Sequence, residues 1–146
     1  RLGKLLRFQA QGASMRPLLR SGDILTVRPV TAKQIRIGDV VFCRTRQGGA
    51  LVHRVIRKQT TKHGAQFMIQ GDEVLQPDGW FDQAQILGFV SAVERDGTYF
   101  DLSSLKMRIL SRMAVIRTRW NFRQDGFSSL IIKLVKKIPV FSVFLT

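Results

Sequence analysis

Between Ile24 and Tyr99 the apolar positions fall into short runs, each closed by a turn signal. ILTVRPV, DVVFCRT, LVHRVIRK, AQFMIQ and ILGFVSAV are rich in Val, Ile and Phe, and Gly-Asp, Gly-Gly, His-Gly or Asp-Gly pairs bound them. Branched and aromatic side chains suit a pleated, half-buried surface, so this spacing predicts a mainly antiparallel β domain. The pairs Gly22-Asp23, Gly38-Asp39 and Gly71-Asp72 stand at strand entries or exits. Gly permits positive φ there and Asp bonds the local backbone, so these read as turn formers.

After Asp101 the period changes. LSSLKMRILSRMAVIRTRW places Leu102, Leu105, Ile109, Met113 and Ile116 near one helical face, with Arg108, Arg112 and Arg119 elsewhere, which predicts a basic amphipathic helix. Asp101 or Ser103 is expected to cap its start, and NFRQDG to end it before Gly126. A shorter second helix is expected from Ser128 to Lys137, stopped by Pro139. The organisation expected is therefore a β domain over 1–101 and a basic helical extension over 102–146. That extension either packs its apolar stripe on the β domain or lies in a membrane interface. For the last twenty residues, ending in VFSVFLT, a membrane or partner surface is the favoured setting.

Length and charge narrow the reading. A chain of 146 residues is long enough to bury a core and suits a single folded unit. Twenty-four Lys and Arg against ten Asp and Glu give +14, which favours an anionic partner. From Leu102 onward there are nine basic residues and one acidic, 9 − 1 = +8, so over half of the excess lies in the last third. No helix-turn-helix, zinc-ligand set or glycine-aromatic RNA motif accompanies the arginines, so an anionic membrane surface is preferred to nucleic acid. No phosphate loop, dinucleotide fingerprint or metal-ligand constellation is present, and neither cofactor nor metal is expected. Cys43 is the sole cysteine and lies in the apolar run VVFCR, as a small buried strand residue would. No run of 18 uninterrupted apolar residues occurs; Lys133, Lys136 and Lys137 interrupt the nearest candidate. Because the chain starts at Arg1, a preceding segment such as an anchor is expected to have been removed or left out, and a membrane-associated location is favoured over a soluble cytoplasmic one.

The stretch GASMRPLLRSGD carries the first chemical candidate, Ser14. A serine hydroxyl needs a base within hydrogen-bond reach, itself oriented by a third group. His63, in TTKHGAQ, reads as a solvated turn residue. His53 differs: alternation in LVHRVI puts Leu51, His53 and Val55 on one face and Val52, Arg54 and Ile56 on the other, so His53 points to an apolar side. Taken alone such a histidine is more often a satisfied core residue than a base. Asp72 and Asp78, in QGDEVLQPDGW, are the candidate carboxylates, and each also reads as a turn former. Composition and pattern leave a serine triad open.

The order SMRP, GDVVFCR, LVHRVI, FMIQGD, Asp78 and ILGFV, spanning Gly12 to Val93, resembles the catalytic domain of type I signal peptidases. Most bacterial members pair the serine with a lysine in a block like KRV, whereas the endoplasmic-reticulum and archaeal type has HRV, as His53, Arg54 and Val55 do here. The resemblance implies a signal-peptidase-like antiparallel β fold with Ser14 as nucleophile and His53 as general base. Asp78, six positions after Asp72, is implied as the residue that orients the imidazole, with Asp72 as a supporting or alternative acid. The implied reaction is cleavage of a leader from a precursor peptide after small residues, through an acyl-enzyme. An imidazole titrates near about 6.5, so activity is expected to rise through that region.

Two departures from the family stand out. Many relatives have a serine two residues before the nucleophile, and here that position is Gly12; the oxyanion donors expected are the backbone N–H groups of Ser14 and Ala13. The GDNN block of the family reads GDEV, with Glu73 and Val74. A self-cleaving repressor-type relative and a non-catalytic basic binding module on the same fold are the alternatives, the former disfavoured because such relatives usually use a lysine base.

Overall fold

The computed structural model describes residues 4–122. All five runs singled out above form strands: β2 (Ile24–Arg28), β3 (Val40–Arg44), β4 (Ala50–Thr61), β5 (Gly64–Gln70) and β7 (Ile86–Arg95). Three further strands of four residues each complete the sheet: β1 (Leu6–Gln9), β6 (Gly79–Asp82) and β8 (Thr98–Asp101). Their local patterns are too short to show alternation; pairing with longer neighbours makes them strands.

The sheet has eight strands in the order β1-β2-β7-β3-β4-β5-β6, with β8 on β7, and every pairing is antiparallel. It is curled rather than flat, because register shifts at Thr26/Val27, Phe42/Cys43 and Val55/Arg57 each insert a local bend and added twist. The curl divides the core. One cluster gathers Leu25, Val27, Val40 and Val90 with Met15, Leu18 and Leu19 of the β1–β2 connection. The other gathers Val41, Cys43, Val55, Phe67, Ile69 and Phe81. The fold is thus mainly β, as the strand spacing predicts.

The Gly-Asp pairs do form turns, and two of their aspartates do more. Asp23 accepts the Arg20 N–H at 2.8 Å and binds Arg95 through both oxygens, at 2.8 and 2.6 Å. Asp39 accepts the Arg36 N–H. Asp72 pairs with Arg54, as described below.

A helix, α1 (Leu105–Phe122), follows β8. Its start differs from expectation: the Asp101 carboxylate is taken by the Ser103 N–H and hydroxyl, and Ser104 Oγ accepts the Met107 N–H at 3.4 Å. Its buried face differs too. Met107 joins the first core cluster and Val115 is buried, whereas Ile109 and Ile116 of the expected stripe are 54% and 62% exposed. The helix is apolar on two sides, so periodicity finds a stripe without saying which one the sheet covers. The second helix expected over Ser128–Lys137, and the apolar end of the chain, lie outside the described residues. Among the described residues no helix is long and apolar enough to cross a membrane.

Candidate active site

Three segments of the chain converge on one point. The first is the segment between β1 and β2, closed at its base by Ala10 N–H to Asp23 C=O and Gly22 N–H to Ala10 C=O, at 2.7 and 2.9 Å. Gly12 turns the chain with φ +90°, a value β-carbon-bearing residues rarely adopt. Met15, Leu18 and Leu19 then sink into the core, and Leu19 N–H bonds Met15 C=O. Ser14 is left at the rim, half-buried, on a segment anchored just behind it.

The second element is β4. Val41 lies opposite His53 in the ladder, and His53 is 8% exposed, on the side of Leu51 and Val55 as the alternation predicts. Nε2 of His53 stands 2.8 Å from Ser14 Oγ, a full hydrogen bond. The third is the connection from β5 to β6, where Asp78 N–H bonds Ile69 C=O and Gly79 takes φ +107°. That fixes the Asp78 carboxylate 2.6 Å from His53 Nδ1. With Nδ1–H donating to the carboxylate, Nε2 carries the lone pair that faces the serine hydroxyl. Ser14, His53 and Asp78 are therefore brought together, 39 and 25 residues apart in the chain, as 53 − 14 and 78 − 53.

Asp72 is not at His53. Both of its oxygens bind the Arg54 guanidinium, at 2.7 and 2.6 Å, and Arg54 also donates to Gly38 C=O at 2.8 Å. The two side chains are 2% and 4% exposed, so Asp72 supplies the counter-charge that a buried arginine requires. This pair was not read from the sequence. A signal for it exists: an arginine amid the apolar residues of a buried strand demands an acid elsewhere, and alternation points Arg54 away from His53.

The turn that Arg54 holds through Asp72 lies against Ser14. Glu73 N–H donates to Ser14 C=O at 2.8 Å. A β-carbon on Gly71 would lie 2.8 Å from the Ser14 carbonyl oxygen and 3.0 Å from His53 Nε2, so only glycine fits between them. Among the described residues the N–H groups of Ala13 and Ser14 have no protein acceptor.

Beside Ser14 a cavity of about 250 Å3 is lined by Gln11, Gly12, Arg20, Ala50, Leu51 and His53 among others. Cys43, in the neighbouring strand, is no competing nucleophile: burial, reinforced by the Asp78 charge, pushes its thiol up to about 12. His63 lies exposed in the β4–β5 turn, remote in role from this constellation.

The family model described as Peptidase S24-like matches residues 3–68. The matched segment contains Ser14 and His53 and ends before Asp78. Together with the curled antiparallel sheet it supports a serine-peptidase-like fold, a broader class than the signal peptidase type to which the sequence blocks point. No curated protein matches the chain.

Proposed function

We propose that the protein is a serine endopeptidase of the signal peptidase kind that removes a leader from a precursor peptide. The observation that carries this reading is the unbroken chain of short hydrogen bonds from Ser14 Oγ through His53 to Asp78. A nucleophile, a base and an orienting carboxylate in that relation are the components of acyl transfer.

In the proposed reaction Ser14 Oγ attacks a peptide carbonyl carbon while its proton passes to His53 Nε2. The resulting imidazolium is stabilised by Asp78 through Nδ1–H. The Ser14 and Ala13 N–H groups receive the oxygen as it gains charge, a contribution typically about 2.7 to 4 kcal/mol for each donor. Collapse breaks the C–N bond, and Nε2–H protonates the departing amine. Water, deprotonated by the same nitrogen, then releases the acyl group and restores Ser14. The cavity beside Ser14, lined in part by Gln11, Gly12 and Leu51, offers room for the acyl-side residues of such a peptide. No step needs a cofactor.

The test is incubation of the purified full chain with a peptide library carrying small residues before the scissile bond. Cleavage by wild type and its loss in Ser14→Ala, with folding unchanged by circular dichroism, is expected. Folded wild type that cuts nothing across the library, or cleavage that survives Ser14→Ala, overturns the proposal.

A second reading is favoured by the breadth of the family match: scission within the chain itself, as in a self-cleaving repressor-type relative. It predicts a Ser14-dependent fragment whose first-order rate constant of appearance does not vary with protein concentration. Intact-mass spectrometry over a dilution series separates the two.

A further inference from the structure

α1 has two apolar faces, and the sheet covers one. Met107 and Val115 are buried and Leu110 packs against the core, which turns Ile109, Met113 and Ile116 outward. These three, at spacings of four and three, form a continuous stripe along the helix. Lys106 and Arg112, both exposed, stand roughly 60° to either side of it at helical spacing. Every charged residue in α1 is basic. An apolar stripe edged by cations on both flanks matches the layering of a bilayer surface, where acyl chains lie beneath anionic head groups.

We propose that the Ile109, Met113 and Ile116 face of α1 docks the protein on an anionic lipid surface, with the helix in the plane of the interface. The cations flanking the stripe are the reason to choose this occupant. A second copy of the chain would set two all-basic helices against each other, and an acid-free helix face has no charge complement in its own image. The docking does not use the Ser14 site, so it stands or falls separately from the proposed proteolysis.

The experiment is co-sedimentation of the full chain carrying Ser14→Ala with phosphatidylcholine vesicles, with and without phosphatidylglycerol. Binding to the anionic vesicles alone, weakened by salt, is expected. Ile109→Ser, Met113→Ser and Ile116→Ser combined should lower partitioning by about tenfold or more, and so should Lys106→Gln with Arg112→Gln. The second variant keeps the stripe intact, so it answers the question if the first fails to fold. No binding to anionic vesicles, or equal binding by the folded variants, overturns the proposal. So does a vesicle-free dimer in sedimentation equilibrium that the stripe substitutions dissolve, or tighter capture by duplex DNA than by vesicles.

Discussion

Asp72 and Asp78 sit in similar turns and differ in what their carboxylates hold. Asp78 touches the imidazole, with a side chain 23% exposed, whereas Asp72 is enclosed against Arg54. Asp78→Asn is expected to reduce kcat on the order of 10⁴-fold, since the amide favours the wrong imidazole tautomer, while urea unfolding stays close to wild type. Asp72→Ala is expected to act first on stability: it strands a buried guanidinium and costs about 3 to 5 kcal/mol in the same unfolding assay. Gly71→Ala tests a third kind of residue, one that acts by having no side chain. Its β-carbon would push on the Ser14 carbonyl and on Nε2, so a large loss of kcat in steady-state kinetics is expected, with much less change in KM. The face of His53 was legible from alternation alone. Local pattern did not choose between the two aspartates, because turn chemistry gives both the same signature; the family resemblance pointed to Asp78, and the β5–β6 pairing is what brings that carboxylate to Nδ1.

At the level of elements, the strands of five or more residues announce themselves by branched and aromatic runs. β1, β6 and β8 do not, because four residues carry too little pattern and their partners determine them. Ion pairs between elements were also hidden, and Asp23 with Arg95 shows their consequence. Burial works to raise the Asp23 carboxyl, and Arg95 together with the Arg20 N–H outweighs it, leaving the group below its ordinary 3.8. A carboxyl lowered by folding adds stability that is fully present above that ordinary value and is lost as pH falls through the folded one. Asp39 runs the other way, because its burial raises it more than the Arg36 N–H lowers it. A comparison between proteins therefore isolates the pair better than one pH curve does. Arg95→Met is expected to lower stability by about 3 kcal/mol at neutral pH. The gap between its guanidinium unfolding midpoints and those of wild type should narrow as pH is taken from 6 down to 3.

On the scale of the whole molecule, α1 and the Ser14 segment share one cluster: Met107 packs in the group that contains Met15, Leu18 and Leu19. The sequence pattern placed a basic helix after the β domain but had no means of telling its two apolar faces apart, since both repeat at helical spacing. The structure makes that distinction measurable. Met107→Ala removes buried volume from the cluster behind Ser14 and is expected to cost about 2 kcal/mol or more, whereas Ile109→Ala, on the exposed face, should stay within about 0.5 kcal/mol of wild type. If helix and sheet unfold as one cooperative unit, the Met107→Ala transition followed by far-ultraviolet circular dichroism and by the fluorescence of Trp80 of β6, in a Trp120→Phe background, will move to lower denaturant together. A helix signal that melts early while the fluorescence transition stays at the wild-type midpoint would show instead that α1 detaches from the sheet, leaving Met15, Leu18 and Leu19 held by the strands alone.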